Sequence, residues 1–351
     1  MSKMKKAAEA AIREVLDVQP GEEVLIISNF DCDAFTIARF IYEAALEAKA
    51  RATFMVQPRK TQYDDAERIV LEAIKSEPDV IVAITDRKVG KDPFGLKLGY
   101  VGRDGKQYNH IYDAVLWGNR RCRSFWSPGV TVDMFERCVP VDYSTMRALA
   151  SKLKDVLDDG KEMHVTSPAG TNICFSIEGR KGQVDDGDFR WPGKGGNLPC
   201  GEAYVSPRNG TVEGVIVFDG TLDLVPNPII PKEPVKVFLK GGFITQIEGG
   251  KEAEMLLKVI ERGETLAREM GKKEEERNAR AIGELGIGIN PKAKMTCNML
   301  EDEKVWSTVH FAIGSNLDND AHALIHQDCL VLNPSLFVDG RQIMKDGEIL
   351  I

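Results

Sequence analysis

The sequence predicts two domains of different class. Residues 1–160 read as an α/β domain with an open parallel sheet, and residues 161–351 as an α+β domain with an antiparallel sheet or barrel. Three observations predict this. At 351 residues the chain exceeds what one hydrophobic core ordinarily organises. Before residue 160, short apolar runs alternate with segments of helical period. From Lys161 onward, short alternating runs are punctuated by Gly and Pro roughly every eight to twelve residues.

The elements follow in order. Residues 3–17 carry Ala7, Ala11, Ile12, Val15 and Leu16 at helical spacing, and Pro20–Gly21 ends that helix. EVLIIS (23–28) is a short apolar run, the pattern of a buried parallel strand. A helix over 35–50, a strand over 52–57, a helix over 64–76 and a strand over 79–85 complete a β-α-β-α-β succession. Helices over 108–120 and 142–159 extend this domain, which is expected to shape a substrate cleft or a subunit contact. His110 falls in the first of them and reads as a packed or surface histidine. The charged loop over 85–106 reads as a solvated insertion. In the second domain strands are expected around 161–180, 213–222, 234–250, 281–290, 307–314 and 323–332. One helix interrupts them at 251–271, and a terminal hairpin turns at Asp346–Gly347.

Composition removes several function classes. The chain is 43% hydrophobic and 28% charged with a formal net charge of −8, so it presents no electrostatic footprint for nucleic acid. No run reaches the ~18 apolar residues of a membrane helix, and the basic, amphipathic N-terminus lacks the core of a signal peptide. Seven scattered cysteines form no C-x-x-C, the pattern of reduced thiols in a cytoplasm. The segment after the first strand, NFDCDAF, has no glycine, and neither G-x-G-x-x-G nor a P-loop occurs there.

The chemistry concentrates in EDEKVWSTVHFAIGSNLDNDAHALIHQDCLV (301–331), which holds His310, His322, His326 and Asp328. On a strand, His326 and Asp328 point to one side. Two carboxylates elsewhere sit in settings unusual for a charge: Glu202 in a Gly- and Pro-rich turn, and Glu284 in the apolar run AIGELGIGIN. Together Glu202, Glu284, His310, His326 and Asp328 are too many donors for one tetrahedral zinc with an open position. They suit two divalent ions sharing a carboxylate, and so metal-assisted hydrolysis of an amide.

Extended strings in the chain resemble the aminopeptidase T and aminopeptidase S type of metallo-aminopeptidase. They are GGNLPCGEAYVSP (195–207), ITQIEGGKEAE (244–254), AIGELGIGINPKA (281–293), MLEDEKVWSTVHFAIG (299–314) and HQD (326–328), with SPGVTVDMFER (127–137) more loosely. The resemblance implies that Glu202, Glu284, His310, His326 and Asp328 hold two divalent ions (Zn, Co or Mn). It makes Glu284 the catalytic contact to the metal-bound water. It also implies a homodimer that removes one N-terminal residue from a peptide or aminoacyl amide. The chain departs from the family pattern at Leu317, where a tyrosine is expected, and in the short segment Asn316-Leu317-Asp318-Asn319-Asp320. Asp318, Asp320, His322 and Tyr204 are the residues near enough in sequence or context to replace that tyrosine. The related 2,5-dihydroxypyridine dioxygenases give an alternative. They hold one Fe(II) through two histidines and an aspartate, and their H-x-D would fall on His326 and Asp328. Their second histidine would fall at Glu284, and they lack a glutamate at the Glu202 position, so the ligand residues here favour the hydrolase. A degenerate, non-catalytic metal-binding protein is the third reading.

Overall fold

The computed structural model describes every residue except Met1, Asp31, Gln62, Val225, Pro226 and Asn319. The chain divides into two units. The first comprises Met1–Tyr143 with Gly187–Cys200, and the second Ser144–Asp186 with Gly201–Ile351. The first unit is therefore discontinuous, where the sequence suggests one cut near residue 160. The segment GKGGNLPC forms its own short strand, Gly195–Asn197, parallel to Arg123–Pro128.

The sheet of the first unit has five parallel strands in the order Gly195–Asn197, Arg123–Pro128, Val80–Thr85, Glu23–Asn29 and Arg51–Gln57. Val80–Thr85 is buried along its whole length, as expected of a strand covered on both faces. Leu25, Ile27, Ile81 and Ala83 pack on one face against Val70 and Ile74 of the helix Arg68–Lys75 and against Ile111, Val115 and Leu116. Val24 and Ile26 alternate to the other face, and the helix Asp33–Glu47 packs along that strand through its buried Ile37 and Ile41. The helix predicted over 3–17 is α-helical through Lys3–Ala10 and widens to a π-type turn at Ala11–Val15. Buried Arg123 closes that end. Its guanidinium donates to both carboxylate oxygens of Glu22, at 2.9 and 2.6 Å, and to the carbonyls of Leu16 and Asp17. The charged 85–106 loop contains a short helix, Pro93–Leu98, and the hairpin Tyr100–Val101/Gln107–Tyr108.

The second unit contains two antiparallel sheets. The larger has eight strands, from Phe243–Glu248 at one edge through Val235–Lys240, Glu213–Phe218, Asn172–Ser176, Glu162–Thr166, Ser335–Val338 and Arg341–Lys345 to Glu348–Ile349. The smaller has five strands in the order His326–Leu332, Thr308–Gly314, Ile282–Gly288, Glu202–Val205 and Gln183–Asp185. The helix Lys251–Glu269 lies where its period predicts it. The α/β class of the first unit and the antiparallel, α+β class of the second are thus those read from the sequence. Among the described residues, no helix is long and apolar enough to cross a membrane.

Candidate metal centre

The five-stranded antiparallel sheet sorts its residues by alternation. Ala203, Val205, Leu285, Ile287, Val309, Phe311, Ile313, Cys329 and Val331 point to one face and are buried there. The opposite face is defined by register. Glu202 stands across from Gly288, Tyr204 from Gly286, Gly286 from His310, Glu284 from Ala312, Ala312 from Asp328 and Gly314 from His326. All five residues expected to bind metal therefore lie on a single face, carried by four neighbouring strands.

Small residues make the room. A Cβ on Gly286 would overlap the His310 imidazole, which lies across that glycine. A Cβ on Gly288 would strike the Val305 carbonyl. Without these glycines, the large donors of adjacent strands would compete for the same space.

Glu202, Glu284 and His310 converge, each offering a donor atom within 4.8 Å of the others. His310 is 1% exposed; its Nε2 donates to Glu284 Oε1 at 3.2 Å and faces Glu202 Oε2 at 3.6 Å. Burial alone would push this imidazole's pKa down. The bond to Glu284 and the charges of Glu202 and Asp328 outweigh it and raise the pKa to about 9. A proton here balances buried carboxylates, which is the part a bound cation would take. His326 Nδ1 donates to the Ser315 carbonyl at 2.9 Å. That bond orients the ring and turns Nε2 toward Asp328 Oδ1, 3.5 Å away. His326 sits at the rim with 39% of its side chain exposed, and Asp328 lies deeper. Burial raises the Asp328 carboxyl, but His326, His310 and Lys304 hold it down to about 2.

The chemistry of the donor set fits a divalent cation. Among the described residues, Glu202 Oε2 and His310 Nδ1 are buried and have no hydrogen-bond partner, a state that ordinarily costs about 1–3 kcal/mol per group. Imidazoles and carboxylates are the usual donors to zinc, manganese and iron.

Sequence reasoning missed one charged group. Lys304 is fully buried, and its ammonium donates to Glu202 Oε1 at 2.5 Å and to Glu303 Oε1 at 2.7 Å, with Asp185 Oδ2 at 3.9 Å. Burial opposes its charge, but these carboxylates raise its pKa well above the ordinary lysine value. Burial pushes the neighbouring Glu303 up to about 7 against the pull of Lys304. Glu301 and Asp302 are also wholly buried. They accept from the backbone N–H groups of Lys294 and Thr296, and Asp302 accepts from Thr221 Oγ1. An acidic run normally reads as solvated surface. Its only sequence signal here is its position, immediately before the strand that carries His310.

Of the residues near the missing tyrosine, Asp320 pairs with Arg180 at 2.6 Å and Asp318 lies 3.9 Å from the same guanidinium. Leu317 is 55% exposed, His322 is exposed, and Asn319 lies outside the described residues. Tyr204 alone of these stands on the donor face, where burial and the charges of Glu202 and Glu284 raise its pKa.

Comparison with known proteins places this geometry among relatives. The family model described as NicX, 2,5-dihydroxypyridine 5,6-dioxygenase, matches residues 130–351, a stretch that contains every donor named above. The 2,5-dihydroxypyridine 5,6-dioxygenase of Pseudomonas putida KT2440 is 23% identical over 229 residues, which is 62% of this chain and 62% of that protein. The solved structure of 2,5-dihydroxypyridine dioxygenase from Pseudomonas putida KT2440 superposes with a TM-score of 0.73 at 18% identity, over 100% of this chain and 98% of its own. Wild-type AmpT from Thermus thermophilus gives 0.67 at 20% identity, over 99% of both chains. At these identities the two structures share the fold.

Proposed function

The chain belongs to the family of NicX, the 2,5-dihydroxypyridine 5,6-dioxygenases, and on that premise we propose that it is a metal-dependent enzyme that opens a hydroxylated aromatic ring with dioxygen. The observation that carries this reading is the family match, which spans the whole donor face. His310, His326 and Asp328 supply two imidazoles and one carboxylate on that face, the donor types of a mononuclear iron(II) centre with open positions. In this assignment the second imidazole comes from His310, not from the Glu284 position.

Iron(II), if held there by His310, His326 and Asp328, would supply coordination sites for dioxygen and an electron-rich ring, the ring being the reductant; the chain's own groups have separate roles. The Ser315 carbonyl orients His326. Glu284, beside His310, is placed to accept the proton of a substrate hydroxyl, which enriches the ring in electrons for attack. Lys304, buried and bonded to Glu202 and Glu303, is a positioning residue that holds the Glu202 carboxylate on the donor face.

A second reading has its own support. Glu202, Glu284 and His310 form the tight group, and two of these three donors are carboxylates. That composition favours a hydrolytic divalent centre, with Glu284 taking a proton from water and an aminoacyl amide as substrate. A homodimer and a peptide-type substrate belong to this second proposal.

Metal analysis and paired assays separate the two. The dioxygenase reading expects one iron per chain and oxygen uptake with 2,5-dihydroxypyridine under Fe²⁺, with iron retained in Glu202→Ala. Two zinc, cobalt or manganese ions per chain, lost in Glu202→Ala, with amino-acid release from leucyl amide, would replace it with the hydrolase. Absence of both activities with every metal would sink both.

A further inference from the structure

A cavity lies in the first unit, lined by none of the residues assigned above to metal. It has a volume of about 400 Å³ and opens at the C-terminal ends of Val80–Thr85 and Arg123–Pro128. In open parallel sheets this edge is where ligands bind, because strand ends and their loops leave a crevice there. The volume lies in the range of small-molecule sites.

The lining is specific. Trp117 and Trp126 stand edge to face with ring centroids 6.3 Å apart, and Tyr112 meets Trp126 in the same way. Trp117 is carried by the π-type turn Ala114–Gly118, and widened turns of this kind are frequent at functional sites. It keeps 38% of its surface exposed beside the cavity, which leaves indole area open to a ring. Arg87 and Lys88, from the loop that the sequence presents as a solvated insertion, line the same cavity. Both are exposed, and neither has a carboxylate within ion-pair distance among the described residues. His110 is engaged by backbone: its Nδ1 accepts from the Tyr112 N–H and its Nε2 lies 3.0 Å from the Gly90 carbonyl. Among the described residues of the lining, Asp113 is the one acidic group. Two cations against one carboxylate leave a single net positive charge.

We infer that this cavity binds a planar aromatic carboxylate, its ring against Trp117 and Trp126 and its carboxylate on Arg87 and Lys88. Indoles contribute flat apolar area, and a guanidinium accepts a carboxylate in a two-pronged hydrogen bond. The net single charge suits a monoanion better than a phosphate ester. A separate cavity of about 300 Å³ shares Lys88, Val89 and His110 in its lining. The inference stands independently of the chemistry proposed for the metal centre.

The test is isothermal titration of the full-length protein with 2-naphthoate, alongside tryptophan fluorescence, and with 2-naphthamide as the uncharged control. The expected result is saturable binding of one 2-naphthoate per chain, with the amide weaker by about tenfold or more. Arg87→Met/Lys88→Met and Trp117→Ala should each weaken 2-naphthoate by about tenfold, and Trp117→Phe should restore part of the loss. Far-UV circular dichroism checks that the variants fold. The double charge variant alters only exposed loop side chains, so it carries the test even if Trp117→Ala unfolds. No saturable binding up to about 5 mM 2-naphthoate, or equal binding to parent and double variant, overturns the inference.

Discussion

The chain contains two sheets of five strands that use their surfaces in opposite ways. The parallel sheet of the first unit is covered by helices, and its central strand is buried throughout. Its available chemistry is pushed to the strand ends, where Arg87, Lys88 and the two indoles gather. The antiparallel sheet of the second unit keeps its packing on one face and gives the other to Glu202, Glu284, His310, His326 and Asp328. Covering both faces fixes function at an edge, whereas covering one leaves a whole face on which donors of adjacent strands can meet. Adjacent residues on the second sheet therefore have separable duties.

Three substitutions test that separation. Lys304→Met should have the largest effect on stability. It strips the ammonium from Glu202, Glu303 and Asp185, and losing one partner of a buried charge set costs about 3–5 kcal/mol. Urea denaturation of the metal-free protein measures it, and a loss below about 1 kcal/mol would show that these carboxylates are not held by Lys304. On the packing face, Phe311→Ala should cost about 3–4 kcal/mol by leaving a cavity in the core. The variant should still take up metal in the parent ratio. If metal is lost in proportion to stability, the two faces are not separable. Gly286→Ala asks the converse. The added methyl must displace the His310 ring, so metal affinity should fall at least about tenfold, as when a ligand loses its support. Competition with a chromophoric chelator reads this directly, and unchanged affinity would exclude His310 from the centre.

The smallest effect belongs to the first unit. Burial alone would raise the Glu22 carboxyl, but the hydrogen bonds from Arg123 and from the Gln19 N–H hold it below the usual carboxylate range. Its folded pKa lies below its unfolded one. Its stabilisation is therefore complete above the ordinary carboxylate pKa and fades as pH falls through the folded value. Glu22→Gln should flatten the acid limb of the stability profile between about pH 5 and pH 3 by under about 1 kcal/mol, given partial solvent contact. A steeper acid limb in the variant would contradict the assigned sign.

Much of this was legible in the sequence because periodicity reports burial. Val80–Thr85 reads as a covered strand, and Ile282–Gly288 reveals Glu284 as an anomaly within an apolar run. Spacing of two within His326–Asp328 places both on one side, and the structure agrees. What stayed hidden depends on contacts distant in sequence. Glu301–Lys304 looks like a hydrated charge run, yet Thr221, Lys294 and Thr296 satisfy its acids and Glu202 binds its lysine. Arg87 and Lys88 look like loop solubility, and only the return of the Trp126 strand places an indole beside them. The segment Gly187–Cys200 gives no local sign that it rejoins the first unit, since strand pairing with Arg123–Pro128 is a tertiary choice. The sequence comparison of ligand residues ranks hydrolysis first; the family match weighs toward oxygen chemistry.

Lys304 is wholly buried in the turn that leads into the strand Thr308–Gly314 of the donor sheet. Its amine is consequently closed to trypsin and to acylating reagents for as long as that sheet stays shut. Mass spectrometry of lysine labelling would then give a clock for the opening of the centre, one residue among many reporting the breathing of a single face.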